Sequence, residues 1–331
     1  MRNDKNKPHQ KDTPDSELST PNVQHTTVLL HEAIDLLRPR SGGIYVDGTL
    51  GGGGHAEELL RRTGPDGIVI GLDQDEEAVA RCRERLAKYG SRAMLRQANF
   101  RDLAAVLGEL GAGPVDGVLL DLGISWFHLR TAERGFSFQV DGPLDMRMDG
   151  RGATTAADLV NTLPRHELIR VLREYGEEKR AAVIAKAIER ARSRGPITST
   201  VQLAEIVSSV FPPYPPRRIH PATLTFQALR IAVNDEMNAL AAGLEDMVRL
   251  LRNEGRIAII SFHSIEDRIV KQAFVEHAKT CVCPPKLPVC RCGKQADLKV
   301  VTKRPVTASE AEIASNPASR SAKLRAAEKI G

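Results

Sequence analysis

Gly43-Ile44-Tyr45-Val46-Asp47-Gly48-Thr49-Leu50-Gly51-Gly52-Gly53-Gly54-His55 decides the fold. An apolar strand runs into a glycine cluster and a helix follows, the layout of a cofactor cradle. Glycine lets the backbone turn with positive φ and approach a ligand without Cβ interference. The helix beginning near His55 presents free N–H groups. Asp47, at the strand tip, discriminates between ligands. A dinucleotide site sets a pyrophosphate against this turn and favours bare N–H groups there, so a carboxylate suits a cationic ligand better. S-adenosylmethionine, with its sulfonium and amino group, is such a ligand, and a nicotinamide dehydrogenase is disfavoured on the same ground.

Working outward, a second apolar strand, Gly67–Leu72, ends in Asp73, twenty-six residues after Asp47. That is roughly the interval at which a doubly wound fold places a ribose-binding carboxylate. Capping of a helix starting at Glu76, by Asp73 or Asp75, is a compatible second role. Helix Glu76–Tyr89, strand Ala93–Gln97, helix Asp102–Leu110 and strand Gly117–Leu120 ending in Asp121 continue the alternation. A fifth strand, Arg256–Ser261, comes only after some 135 residues, far beyond a normal crossover. The expected fold class is α/β, a doubly wound, mostly parallel Rossmann-like sheet with an inserted α-helical subdomain. The expected organisation is a disordered N-terminal tail over 1–24, a cofactor domain made of 25–132 and 218–331, and a helical substrate-recognition insertion over 133–217.

Within the insertion, Leu168, Ile169, Val171, Leu172, Val183, Ile184, Ala187 and Ile188 recur at helical spacing, and Ser199 with Gln202 forms a capping-box pattern. Pro212-Pro213-Tyr214-Pro215-Pro216 then stops the helices. The stripe Phe226, Leu229, Val233, Met237, Leu240, Leu244, Met247 and Leu251 reads as one long surface packed on the sheet. The chain has 331 residues and a formal charge of +5, and no apolar run approaches the ~20 residues of a membrane span. Its polar start through Gln24 lacks the apolar region of a signal peptide, so cytoplasmic residence is the default expectation.

Several constellations could carry chemistry. The single Trp and three of the eight Phe fall between Trp126 and Phe138, a cluster suited to stacking on an unpaired base or, as the bland alternative, to seating the insertion on the sheet. Asn99-Phe100 follows the third strand, where an aromatic could lie against adenine. His55 belongs to the cofactor loop and His263 to the rim, where substrate would pass. Cys281, Cys283, Cys290 and Cys292 form a candidate tetrahedral zinc site, with four reduced thiols as the alternative. From Lys299 to Gly331 there are seven Lys or Arg against three Glu, a local excess suited to phosphate contact or to a solvated tail.

Taken together, Asp47–His55, Arg134–Phe138, Asp141–Asp149, His220–Gln227 and Ser261–Arg268 resemble the RsmH (MraW) family of bacterial methyltransferases. That family methylates N4 of a cytidine in the decoding centre of small-subunit (16S) ribosomal RNA. The resemblance runs from His25 to Arg325 and implies a class I S-adenosylmethionine methyltransferase with cofactor contacts at Gly53, Gly54, His55, Asp73, Phe100 and Asp121, joined by Asp47 from the reading above. Where the family usually reads Ser-Ser-x-Gln-Leu-Asp, this chain has Ser125-Trp126-Phe127-His128-Leu129-Arg130. His128 therefore stands in for a cofactor-contacting Gln and can make one hydrogen bond in its place. Substrate contacts are expected at Arg134, Phe136, Asp145, Arg147, His263, Ser264, Arg320 and Arg325, and Asp121 is the leading catalytic candidate. The implied partner is the small ribosomal subunit through its 16S rRNA, with no membrane and with a homodimer left open. Methylation of another RNA or a protein, or a non-catalytic RNA-binding assembly role, are the alternatives.

Overall fold

A computed structural model describes residues 26–212, 219–284 and 289–331. The tail expected over 1–24 and residues 213–216 of the proline-rich segment lie outside them. The strands are β1 (Ile44–Asp47), β2 (Ile68–Asp73), β3 (Ala93–Gln97), β4 (Val115–Asp121), β5 (Leu251–Ser261), β6 (Leu298–Val300) and β7 (Lys323–Lys329). They form one sheet in the order β3-β2-β1-β4-β5-β7-β6. The first five are parallel, whereas β7 runs antiparallel between β5 and β6. This is a doubly wound, mostly parallel Rossmann-like sheet. Its order reverses at β1, between β2 and β4, and ligands of such sheets bind at the carboxyl ends beside that reversal.

The helices around the N-terminal half of the sheet are α1 (Leu30–Leu37), α2 (Gly54–Arg62), α3 (Glu76–Leu86), α4 (Leu103–Glu109) and α5 (Trp126–Arg130). Between β4 and β5 come α6 (Ala156–Thr162), α7 (Arg165–Glu174), α8 (Ala181–Arg192), α9 (Thr200–Ser208), α10 (Thr223–Asn234) and α11 (Glu236–Leu250). Helices α12 (Ser264–His277) and α13 (Glu310–Ser315) follow β5 and β6. Strands covered on both faces read as continuous apolar runs, and β4 is buried from Val115 to Leu120. One face packs on α1, α2 and α3 through Leu37, Leu59, Val79 and Leu86. The other packs on α4, α11 and α12 through Leu107, Leu244, Met247 and Phe274.

Local signals set the helix starts. The Asp75 side chain accepts from the Glu77 amide at 3.2 Å, Ser199 accepts from Gln202 at 3.2 Å, and Thr155 forms a capping box with Asp158. The insertion has its own core, in which Leu168, Leu172, Ile184 and Leu203 are buried. Each such burial contributes roughly 1.5–3 kcal/mol.

Two expectations are corrected. The stripe from Phe226 to Leu251 is not one surface: Asp235, with φ 50°, breaks it into α10 and α11. Phe226 and Leu229 on α10 join the insertion's core, while Leu240, Leu244 and Met247 on α11 join the sheet's. The basic C-terminal segment is not a tail, because residues 323–329 are β7, a sheet strand hydrogen-bonded on both edges. Among the described residues, no helix is long and apolar enough to cross a membrane.

Candidate active site

The glycine turn after β1 and the tips of β2 and β4 meet around a cavity of about 360 Å³. Gly53, at φ 78°, is the left-handed cap of α2, and a Cβ on Gly54 would strike the Thr27 hydroxyl. The Gly51 amide donates to one Asp73 carboxylate oxygen and the Asp75 amide to the other, both at 2.9 Å. Asp73 thus shapes the turn while keeping lone pairs for a ligand. Asp121, at the β4 tip, has its amide fixed by donation to the Thr49 hydroxyl at 2.6 Å. One of its carboxyl oxygens is buried with no hydrogen-bond partner, and the other lies 4.0 Å from Nδ1 of His55.

The electrostatics of this wall are one-sided. Asp73, Asp121, Glu236 and Glu266 line the cavity, and no Lys or Arg does among the described residues. Burial, followed by the neighbouring Asp47 and Glu266 carboxyls, pushes Asp121 well above the ordinary carboxylate range. Burial also raises Asp73, against the opposing amides of Asp75 and Gly51. Half-buried carboxyls with no Lys or Arg partner among the described residues favour a cationic ligand, which would restore their charged form. Phe100 adds a flat apolar wall, and its ring so closely overlies Gly243 that a Cβ there would lie 2.9 Å away.

The opposite wall comes from the junction of the insertion with the sheet. Arg230 on α10 donates two 2.8 Å bonds to Glu236 on α11 and lies 4.0 Å from Glu266 on α12. His263 caps α12 and pairs with Glu266 at 3.1 Å. Burial alone would raise Glu266, yet His263, Arg230 and the Phe262 amide hold its carboxyl below the usual range. Trp126 and Leu129 stand at the mouth, with the Arg130 guanidinium over the indole at 4.6 Å and Arg81 over Phe127 at 4.2 Å. Ser315, Asn316 and Thr26 complete the wall from the two ends of the described chain, with the Asn316 side chain donating to the Thr26 carbonyl at 3.0 Å.

Of the residues expected to meet the cofactor, Gly54, His55, Asp73, Phe100, Asp121 and His128 line this one cavity. Asp47 and Gly53 do not. Asp47 is fully buried beneath the loop, where burial pushes its carboxyl up to about 8. Its side chain does not line the cavity, where a direct charge contact was expected. His128 bridges inward, its Nε2 lying 2.9 Å from Asp75 and its ring stacked on Phe136 at 4.8 Å.

The expected substrate residues are mostly architectural. Arg134 donates to Asp75 at 3.2 Å and to the carbonyls of Arg147 and Met148 at 3.1 and 3.0 Å, folding the Asp141–Asp149 segment against the cofactor loops. Phe136 is buried in the insertion's core, and Phe138 stacks on His220 there. Arg147 and Asp145 form a two-pronged pair at 2.9 and 2.6 Å. Ser264 donates to Glu177 of the insertion, which also accepts from Arg268 at 2.7 Å. Arg325 is buried and bound to Asp267 at 2.6 Å, because β7 places it inside the sheet layer. Arg320 alone of the set is exposed without an ion pair among the described residues. Met148 and Glu266, from segments read as reaching the rim, line the cavity, whereas sequence reasoning missed Asn234, Glu236 and Ser315. The polar Asn234-Asp235-Glu236 run, interrupting an apolar stripe, was the available signal.

The MraW methylase family model matches residues 22–330. A ribosomal RNA small subunit methyltransferase H of Syntrophotalea carbinolica is 52% identical over 93% of this chain and 98% of its own length. The protein of the same description from Geobacter sulfurreducens is 54% identical over 92% of this chain and 99% of its own. Among solved structures, an rRNA methylase from Streptococcus thermophilus aligns with 12% identity and a TM-score of 0.42, covering 93% of this chain and 99% of that one.

Proposed function

The chain belongs to the MraW methylase family, and on that premise we propose that it transfers a methyl group from S-adenosylmethionine to the exocyclic N4 of a cytidine in small-subunit (16S) ribosomal RNA. Its similarity to ribosomal RNA small subunit methyltransferases H supports the RNA class. The observation that carries the reading is the cavity wall at the glycine turn, where Asp73 and Asp121 have no Lys or Arg partner among the described residues. It suits a ligand with a positive centre and repels a pyrophosphate.

When bound, S-adenosylmethionine supplies an electrophilic methyl on a sulfonium. Asp73 would accept from the ribose hydroxyls and Phe100 would offer its flat apolar face to the adenine. Asp121 serves the substrate side. The N4 amine of cytosine is a weak nucleophile because its lone pair is delocalised into the ring. An acceptor is needed to orient its N–H bonds and to stabilise the positive charge that develops as nitrogen attacks. The unpartnered oxygen of Asp121 is that acceptor. The proton lost from nitrogen passes to this carboxylate or to solvent. Trp126, with Arg130 above it, offers a stacking surface for a base at the mouth.

The deciding experiment is nucleoside mass spectrometry of ribosomal RNA from cells lacking this protein, paired with methylation of small subunits by the purified chain. Loss of an N4-methylated cytidine, restored by the chain, is the expected result. Methyl transfer to protein or to another RNA, with none to small subunits, would overturn the substrate assignment. Cofactor binding with no transfer to any substrate would leave an assembly role.

A further inference from the structure

The loop between α12 and β6 carries a second constellation, outside the methyl-transfer cavity. Its base is closed by His277, whose ring nitrogens lie 3.2 Å from both Asp297 and Glu245, and by the Asp297 amide donating to the His277 carbonyl at 2.8 Å. Beyond that closure the described residues of the loop are mostly exposed. Cys281, Cys290 and Cys292 are exposed, as are Val282 and Val289 at 53% and 67%. Cysteine is among the most buried residue types, and the fifth cysteine, Cys82, obeys that rule at 0% exposed.

The four sulfurs nevertheless converge. All lie within 4.8 Å of one another. Cys290 Sγ is 3.4 Å from that of Cys281, 3.5 Å from Cys292 and 3.9 Å from Cys283, and Cys281 is 3.9 Å from Cys292. A tetrahedron with metal–sulfur bonds of about 2.3 Å has edges of about 3.8 Å. Backbone amides point at the sulfurs as well: Val282 donates to Cys292, Cys283 to Cys281 and Arg291 to Cys283, each at 3.4 Å. Such donors are the outer shell that steadies thiolate charge at a metal centre.

From this arrangement we infer that Cys281, Cys283, Cys290 and Cys292 hold one structural zinc ion. Four thiolates in a closed tetrahedron suit zinc and leave no open position for catalysis. Binding exchanges four thiol protons for one Zn²⁺, so affinity rises with pH. The ion supplies the fixed packing that the exposed loop lacks.

The test uses the full chain, purified under reducing conditions without chelator. Elemental analysis should find about one zinc per chain, falling to none in Cys290→Ser and Cys292→Ser. Titration of the demetallated chain with Co²⁺ should give thiolate-to-cobalt charge-transfer bands and strong tetrahedral visible bands, which Zn²⁺ then displaces. Amide exchange at Val282, Cys283 and Arg291 should accelerate when zinc is removed, with β1 and β4 unaffected. Because the cobalt and exchange measurements use the natural sequence, they stand even if the serine variants fail to fold. Absence of metal together with absence of the thiolate bands would overturn the site, and stoichiometric iron would overturn its assignment to zinc.

Discussion

The two sides of the cavity treat charge in opposite ways. At the glycine turn, Asp73 and Asp121 line the cavity with no Lys or Arg partner among the described residues, and one Asp121 oxygen has no hydrogen-bond partner. Around the rim, Arg134, Arg147 and Arg325 are bound to Asp75, Asp145 and Asp267. Although burial pushes Asp75 up, His128 and Arg134 hold it at about 2. A charged residue that the chain itself satisfies is serving the architecture, whereas one that the chain encloses and leaves unsatisfied is waiting for a ligand. The motif positions look alike in both places; burial and pairing separate them.

The largest effect should come from the least satisfied group. Asp121→Asn keeps the shape and removes the charge, and is expected to slow single-turnover methylation at saturating cofactor by roughly 10²–10³-fold, the scale for loss of one preorganised transition-state contact. Cofactor affinity should change little. A normal rate would move Asp121 to the architectural side. Next is Asp73→Ala, where losing charge-assisted hydrogen bonds worth about 1.5–3 kcal/mol should weaken cofactor binding roughly 10- to 150-fold by calorimetry. Because Asp73 also accepts from Gly51 and Asp75, a melting curve of the same variant measures how much of the loss is loop disorder.

Much of the cofactor side was legible because its signals are local. Strand Ala93–Gln97 appears with its expected bounds, and the carboxylates at the β2 and β4 tips reach the cavity as expected. The substrate side depended on partners far away in sequence. Lys323-Leu324-Arg325-Ala326-Ala327-Glu328-Lys329 has no β-branched residue and four charges, so nothing local marks it as a central strand. Its place is set by pairing with β5 and by Arg325 meeting Asp267, fifty-eight residues earlier. The break at Asp235 was similarly hidden, since helical periodicity continues across a single left-handed residue. Asp47 was placed at the right strand tip, but only the folded structure shows that it is fully buried, with its carboxyl pushed up by that burial.

That raised carboxyl sets a pH dependence. The Asp47 carboxyl titrates at about 8 in the fold and near ~3.9 in an unfolded chain. Between those values the folded state holds a proton that the unfolded chain has released. Stability of the cofactor-free protein should therefore fall as pH rises from about 4 to about 8, by at most ~1.4 kcal/mol per pH unit for one proton. Below that window both states are protonated, and above it the full penalty is present. Asp73 and Asp121 are raised by burial and add to the same slope. Asp47→Asn should flatten the dependence by one proton's share, read from denaturant midpoints across this pH range. Equal slopes in the two proteins would mean that Asp47 is ionised in the fold and that the loop satisfies its charge.

The smallest effect should divide two arginines that are five residues apart in sequence. Arg320 is exposed with no ion pair among the described residues, whereas Arg325 is buried against Asp267. If Arg320 touches a phosphate, Arg320→Ala should weaken binding to small-subunit RNA modestly and reduce the slope of log affinity against log salt by about 1. Arg325→Ala should leave that slope unchanged. Its cost falls on folding instead, because removing one member of a buried pair strands the other, and Lys323, 3.4 Å from the same carboxylate, recovers only part of the loss. Measuring salt slopes and melting curves for both variants keeps the two consequences apart. A changed salt slope for Arg325→Ala with an unchanged melting curve would show that β7 releases this side chain to the RNA. Pairing within the chain would then fail as a guide to which charges at this rim are available.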